Sequence, residues 1–125
     1  MTTTTDDVAR ALRLVVRDLE SADVPAPAVT WVEEWMTLGF SDGSVHGTDL
    51  SQATQQAEVL ERMADMVHEW VVEEMWSWGR PSNWPRCAAH PDSHPMWVAR
   101  IGSEVVWACP KGDAPPIPVG SLPER

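Results

Sequence analysis

The composition of this chain limits what kind of protein it is. It has 125 residues, the size of one modest domain, and 43% of them are hydrophobic, which excludes wholesale disorder. No apolar run approaches the ~20 residues that a membrane helix needs, and the first residues lack the features of a secretory signal. We therefore expect a single domain over residues 1–125 in the cytoplasm, where cysteines stay reduced. Eight arginines against one lysine are typical of a GC-rich genome and point to a bacterial or phage origin.

Charge is distributed unevenly along the chain. Residues 1–79 carry a net charge of −11, whereas residues 80–125 carry +1. An acidic surface repels phosphate backbones and attracts basic surfaces. This asymmetry disfavours generic nucleic-acid binding through the first part of the chain and favours a basic protein partner.

A first helix is predicted over residues 6–21. Its apolar residues recur at helical spacing: Val8, Leu12, Val15 and Leu19. The opposite, polar face is predicted to carry Arg10, Arg13, Arg17 and Asp18. Pro25 and Pro27 then end the helix, because proline lacks a backbone donor and restricts the residue before it.

Residues 28–48 allow two interpretations. The run from Val29 to Val32 is rich in strand-forming residues, and Asp42-Gly43 between short β-forming runs is a hairpin signal. A helix over residues 28–37 is the alternative, since Val29, Val32 and Met36 also fit one helical face.

A second, longer helix is predicted to begin at a cap formed by Asp49 or Ser51 and to end at Trp78, before Gly79. The segment after it, residues 80–125, contains nine of the eleven prolines and one predicted hairpin, with strands over 97–101 and 105–108. The predicted fold class is therefore α+β, with two main helices, a small β element and a C-terminal β-hairpin.

Four potential metal ligands fall close together in this C-terminal segment. They are Cys87, His90, His94 and Cys109, in the pattern C-x2-H-x3-H-x14-C. Tetrahedral zinc takes four nitrogen or sulfur ligands, and this set supplies them. A structural zinc ion at these four residues is the prediction, since it explains how a proline-rich segment folds.

The arrangement of a short Cys-x-x-His turn, a hairpin and a second turn at Cys109 resembles a degenerate zinc ribbon over about residues 85–113. A regular ribbon has a second ligand shortly after the second cysteine, where this chain has Lys111 and Gly112. The resemblance implies that His94 supplies the fourth bond, with Asp113 as a weaker substitute. It implies a fold and a metal but no particular activity.

Other interpretations of these residues remain open. The cysteines can be free buried thiols beside surface histidines, or they can form a Cys87–Cys109 disulfide. A catalytic zinc with three ligands would make the protein a small zinc-dependent hydrolase with Asp92 or Asp113 as base. A nucleic-acid-binding zinc ribbon is a third hypothesis, and it would use Arg80, Arg86, Arg100 and Lys111 beside Trp84 and Trp97.

An acidic ladder runs along the second helix. Its members are spaced four residues apart: Glu61, Asp65, Glu69 and Glu73. Like charges at this spacing destabilise a helix by a few tenths of a kcal/mol per pair. The ladder is therefore interpreted either as a solvated face or as a docking strip for a basic partner.

Eight tryptophans are too many for all of them to be buried in a domain of this size. Burial is expected for Trp70, Trp84 and one of Trp97 and Trp107. Trp76 and Trp78 point to different sides of a helix, so one of them is a candidate partner contact.

The predicted function is a non-enzymatic protein–protein interaction protein: structural zinc holds the C-terminal segment, while the acidic ladder and an exposed tryptophan bind a basic partner or an assembly subunit. A homo-oligomer is compatible with the same sequence.

Overall fold

The computed structural model describes residues 5–32, 35–50, 53 and 55–124, and it has a mixed α+β fold. In chain order the elements are α1 (Thr5–Glu20), β1 (Ala28–Val32), β2 (Trp35–Gly39), β3 (Val45–Asp49), α2 (Gln56–Ser77), β4 (Trp97–Ile101), β5 (Glu104–Ala108) and β6 (Ile117–Pro118). The predicted fold class is confirmed. The two helices pack against each other, and α2 also packs against β4 and β5.

Strands β1, β2 and β3 form an antiparallel sheet in that order, so the strand interpretation is confirmed and the helix over 28–37 is wrong. Met36 and Leu38 alternate with more exposed neighbours on β2 and are fully buried. The hairpin signal is also confirmed: Gly43 has φ 92° in the turn between β2 and β3. Period-two burial on one face therefore outweighs the helical spacing of three apolar residues.

The start of α2 differs from the prediction. Asp49 is the last residue of β3, Ser51 lies outside the described residues, and the N-cap of α2 is Gln55. The predicted cap was wrong because Asp49 still belongs to β3. A polar residue before an apolar stripe is expected at a helix start, and the sequence alone does not show that it lies in a strand. At the other end, Trp78 is the C-cap and Gly79 has φ 72°, so the predicted stop is confirmed.

The C-terminal segment forms a second antiparallel sheet in the order β4-β5-β6. The predicted hairpin is confirmed, with Trp97 opposite Ala108 and Ile101 opposite Glu104, and Gly102 has φ 63° in the turn. The short strand β6 was not predicted from the sequence. The largest fully buried side chain, Trp107 on β5, lies in the same hydrophobic core as Val15 and Leu19 of α1, so both parts of the chain share one core.

Candidate functional site

The first cysteine and histidine lie on an irregular loop that is closed at its base. The Met96 amide donates to the Pro85 carbonyl over 2.7 Å, and Arg86 bridges Pro95 in an antiparallel β-bridge. Inside the loop the His90 amide donates to the Cys87 carbonyl over 3.2 Å, which forms a tight turn. Cys87 and His90 are therefore held on one side of the same turn.

Cys109 begins a second tight turn immediately after β5. The Gly112 amide donates to the Cys109 carbonyl over 3.0 Å, and Gly112 has φ 72°, which favours glycine. Burial alone raises the pKa of the Cys109 thiol. Backbone N–H groups of Lys111 and Asp113 donate to the sulfur, and together with contacts from Cys87 and His90 they lower that pKa to about 6. The turn is thus built to stabilise a thiolate, the form of cysteine that binds metals.

The two turns bring Cys87, His90 and Cys109 together in one group, the Cys/His cluster, which could hold a metal ion. The Nδ1 atom of His90 lies 3.6 Å from Sγ of Cys87 and 3.5 Å from Sγ of Cys109. A neutral imidazole nitrogen has one lone pair in the ring plane, so it can accept only one well-directed S–H hydrogen bond. A metal ion bound between them would instead contact all three atoms, and the group could hold one. Both cysteines are free, so the structure contains no Cys87–Cys109 disulfide.

A carboxylate orients the histidine of the Cys/His cluster. Oδ2 of Asp113 lies 3.0 Å from Nε2 of His90, so an N–H at this nitrogen can donate to the carboxylate. In the neutral ring with that N–H, the lone pair is on Nδ1, the atom that faces the two sulfurs. Metal-binding histidines commonly donate their second ring N–H to a carboxylate in this way. Asp113, predicted as a substitute ligand, thus contacts the ligand His90.

His94 lies beside the Cys/His cluster. Its ring centroid is 4.6 Å from that of His90, and its Nδ1 lies 3.1 Å from the Pro95 carbonyl. An N–H at Nδ1 donating to this carbonyl leaves the lone pair on Nε2. That Nε2 atom is buried and, within the described part of the chain, has no hydrogen-bond partner. The structure thus groups Cys87, His90 and Cys109 but does not bring the predicted ligand His94 into the group, although its buried Nε2 is a further nitrogen without a partner among the described residues.

The acidic ladder (Glu61, Asp65, Glu69 and Glu73) lies along one side of α2, and its members differ in the side chains that contact them. Oε2 of Glu61 lies 3.7 Å from Nε of Arg100 on β4. Oε2 of Glu69 lies 3.8 Å from Nε2 of His46 on β3. Asp65 and Glu73 are exposed. The ladder is thus a surface feature, and within the described ranges an arginine pairs with it only at its N-terminal end.

The C-terminal half of the ladder borders a surface depression, which we name the α2 groove. It is lined by His68, Glu69, Val72, Glu73, Trp76 and Ser82. Trp76 has 79% of its surface exposed, whereas Trp78 is partly buried and packs edge-on against Trp70 at 6.4 Å. Of the two tryptophans considered as partner contacts, Trp76 is therefore the accessible one.

The other tryptophans follow the prediction. Trp70, Trp84 and Trp107 are buried, whereas Trp97 is half exposed. Trp84 and Trp107 form an edge-on pair with ring centroids 5.1 Å apart. Because Trp84 is buried, it cannot stack on a nucleic-acid base, and Arg100 is paired with Glu61. Two of the residues on which a nucleic-acid-binding ribbon would depend are thus engaged within the protein.

Sequence reasoning misplaced one central residue. Asp18 was predicted on the polar face of α1, but its side chain is fully buried. Its Oδ2 accepts hydrogen bonds from Nε1 of Trp107 at 2.8 Å and the Gly120 amide at 2.6 Å, and its Oδ1 accepts one from the Leu122 amide at 3.0 Å. Burial raises the pKa of Asp18, and these hydrogen bonds together with the charge of Arg17 oppose the rise. Asp18 therefore joins α1 to β5 and to the chain after β6.

Glu74 of α2 was not singled out by its sequence either. It is buried, and its carboxylate accepts hydrogen bonds from the Ser41 amide at 3.1 and 3.2 Å and from the Ser41 hydroxyl at 3.2 Å. Both acidic residues lie within the apolar stripe of their helix, next to Leu19 and Met75 respectively. An acidic residue among the apolar residues of a helix face was the available signal of burial in the sequence, because a carboxylate in that position needs a buried hydrogen-bond partner.

Comparison with protein-family models, with curated proteins and with solved structures gives no match to this chain. Among the described residues, no helix has the length and apolarity required to cross a membrane. The interpretation of the site therefore depends on its own geometry.

Proposed function

We propose that this protein is a non-enzymatic interaction module in which a structural zinc ion holds the C-terminal segment while the acidic face of α2 binds a basic protein partner. The observation that carries this proposal is the separation of the two features. The Cys/His cluster is mostly buried and tied to its own turns. The acidic ladder and Trp76 lie on the surface of a helix whose opposite side is core.

Zinc fits the Cys/His cluster by distance. Tetrahedral zinc binds sulfur at ~2.3 Å and nitrogen at ~2.1 Å, which separates such ligand atoms by about 3.6 Å. The two sulfur–nitrogen distances in the cluster are 3.6 and 3.5 Å. A set of two thiolates and an imidazole also favours zinc, because calcium and magnesium prefer oxygen ligands.

His94 is the proposed fourth ligand. The lone pair of its buried Nε2 has no partner among the described residues, and its ring lies beside that of His90. Both histidines direct their second nitrogen to an oxygen acceptor, Asp113 for His90 and the Pro95 carbonyl for His94. With His94 as the fourth protein ligand the coordination set would be closed, as in a structural site, because a catalytic zinc keeps one position for water.

The metal is tested by elemental mass spectrometry of protein purified without added metal. We expect one zinc per chain in the wild type and loss of zinc in Cys87→Ser. A matched control is His46→Ala, which removes an exposed histidine on β3 and should leave zinc in place. Absence of any metal from the wild-type protein would remove the zinc part of the proposal.

A small zinc-dependent hydrolase is the second candidate, because three grouped ligands are also the number that catalytic zinc uses. His94→Ala separates the two candidates. Loss of zinc together with folding of the C-terminal segment supports a structural site. Retention of zinc with a bound water would support the hydrolase, with Asp92 as the remaining candidate base because Asp113 contacts His90.

Partner binding is tested with a ten-residue arginine peptide in isothermal titration calorimetry at low and high salt. We expect binding that weakens with salt and is lost when the ladder is neutralised in the variant Glu61→Gln, Asp65→Asn, Glu69→Gln and Glu73→Gln. The control variant removes the same charge from exposed positions elsewhere: Asp6→Asn, Glu20→Gln, Asp23→Asn and Glu124→Gln. Equal weakening in both variants would show that only net charge matters and would contradict a binding face on α2.

A further inference from the structure

The two ends of the acidic ladder differ in how the protein neutralises them. Glu61 has Arg100 at 3.7 Å. By contrast, no arginine or lysine in the described ranges forms an ion pair with Glu69 or Glu73, and the neighbour of Glu69 is His46 at 3.8 Å. Among the residues that the structure describes, no lysine or arginine neutralises this end of the ladder, which leaves it open to a cation of a partner.

The unneutralised end of the ladder coincides with the α2 groove. Val72 and Glu73 lie three and four residues after Glu69, and Trp76 lies four and three residues after them, so the four residues share one face of α2. Ser82, from the segment after the helix, lies against this face and donates to the Val72 carbonyl over 2.9 Å. These residues border a depression on the protein surface, with the carboxylates of Glu69 and Glu73 along it and the exposed indole of Trp76 at one end.

We propose that the α2 groove binds an arginine side chain of the partner, with the guanidinium stacked on Trp76 and paired with Glu69 and Glu73. This inference rests on the proposed function and identifies the chemistry of the contact. A planar guanidinium can stack on an indole and present several N–H donors to carboxylates at the same time. A lysine ammonium is a compact, strongly hydrated point charge, so it uses this combination less well.

His68 contributes shape to the groove without adding charge. Burial lowers the pKa of His68, so its ring is neutral at pH 7 and does not offset the two carboxylates. The ring lies 6.1 Å from that of Trp107 and 6.3 Å from that of Trp84, which anchors this part of the groove to the core. The groove is therefore attached to a rigid part of the protein and carries a negative charge.

The test uses two glycine–serine peptides that differ only in having two arginines or two lysines. Binding is followed by the shift of the Trp76 indole N–H signal in ¹H–¹⁵N NMR spectra, assigned by its loss in Trp76→Leu. We expect the arginine peptide to shift this signal at several-fold lower concentration than the lysine peptide. Calorimetry with the ten-residue arginine peptide should show about fivefold weaker binding for Trp76→Leu, and a comparable loss for Glu73→Gln.

Two control variants distinguish the groove from the rest of the surface. Trp97→Leu removes another exposed tryptophan, and Asp65→Asn removes a ladder carboxylate that does not line the groove. Both should bind nearly as well as the wild type. Binding that is equally strong in the groove variants and the controls would overturn the arginine site while leaving the proposed function intact. If the ten-residue arginine peptide does not bind to the wild type, both the arginine site and the proposed function are overturned.

Discussion

The parts of the chain before and after Gly79 fold by different means. Up to α2, the buried residues are chiefly aliphatic and methionine side chains on two helices and one sheet, such as Leu19, Met63 and Val67. After α2, the segment of residues 80–124 has two strand pairings and nine prolines, and its buried aliphatic residues are fewer, among them Val105, Val106 and Val119. It is held by a tryptophan pair, by the buried carboxylate of Asp18 and by the turns around the Cys/His cluster.

This difference shows how a chain with a limited core can extend its structure. An apolar stripe on a helix needs only another apolar surface, and its energy accumulates over many weak contacts. A proline-rich segment offers no such stripe, so its position depends on a few strong, directed contacts. Removal of one of these contacts should therefore affect the C-terminal segment far more than the helices.

The largest expected effect is that of metal removal. Structural zinc contributes on the order of 10 kcal/mol of folding free energy in small zinc-binding peptides. If the Cys/His cluster holds zinc, a strong chelator should disorder residues 80–124 while the helices persist. The near-ultraviolet circular dichroism of Trp84 and Trp107 should collapse, and the helical signal at 222 nm should change little. A concerted loss of both signals would show that the two regions fold as one unit.

The second expected effect is that of Asp18→Ala. The substitution leaves the donors of Trp107, Gly120 and Leu122 buried without their acceptor. A buried donor left without its acceptor costs about 1–3 kcal/mol, and because three donors lose theirs we expect a total of about 3–5 kcal/mol. Urea unfolding should show this loss. Glu20→Ala, which truncates an exposed acidic residue two positions away, should change the free energy of unfolding by less than about 0.5 kcal/mol. A small effect at Asp18 would mean that the C-terminal segment does not depend on this carboxylate.

A smaller effect is expected for Glu74→Ala. Its carboxylate holds Ser41 in the turn between β2 and β3, and the lost hydrogen bonds should cost about 1–3 kcal/mol. Glu73→Ala, at the next and exposed position, is the matched control in the same urea experiment. Because Trp70 Nε1 also donates to the Gly39 carbonyl at 2.8 Å, the first sheet should remain attached to α2. Detachment of that sheet would contradict the view that many weak contacts hold the N-terminal region.

The smallest effect is a pH dependence from His68. Burial lowers its pKa in the folded protein, so between that value and the ordinary 6.5 the unfolded chain binds a proton that the folded chain does not. This histidine therefore contributes stability above pH 6.5 that is lost as the pH falls. The free energy of unfolding should decrease from pH 7.5 to 5.5 more steeply in the wild type than in His68→Gln. Parallel pH profiles would show that His68 titrates normally in the folded state.

Much of the local structure followed from the sequence, for identifiable reasons. The helices around Val15 and Val67 were predictable because apolar residues recur at helical spacing, and the hairpin at Gly102 was predictable because its turn residues separate two β-forming runs. The strand β6 could not be predicted. It is two residues long, and its pairing with Val106 and Trp107 comes from an edge that only the folded sheet provides.

The candidate site shows the same division. Residue type and spacing alone predicted Cys87, His90, His94 and Cys109 as candidate metal ligands, because few side chains bind zinc. The structure groups three of them and leaves His94 outside the group. Spacing does not determine which atoms meet, so the grouping of the first two with Cys109, and the orientation of His90 by Asp113, depend on the folded turns. The α2 groove likewise needs Ser82, which lies beyond the end of the helix.

The sequence by itself predicted the fold class, the apolar stripes of the two helices, the C-terminal hairpin and the candidate ligands, since these depend on short-range periodicity and chemistry. It left the strands over residues 28–48 as one of two interpretations. The tertiary structure decided that Asp18 and Glu74 are buried, that Glu61 is neutralised and that Trp76 is exposed. Those outcomes depend on which distant segment covers each side chain. A carboxylate on a helix looks the same in sequence whether water or a buried amide surrounds it.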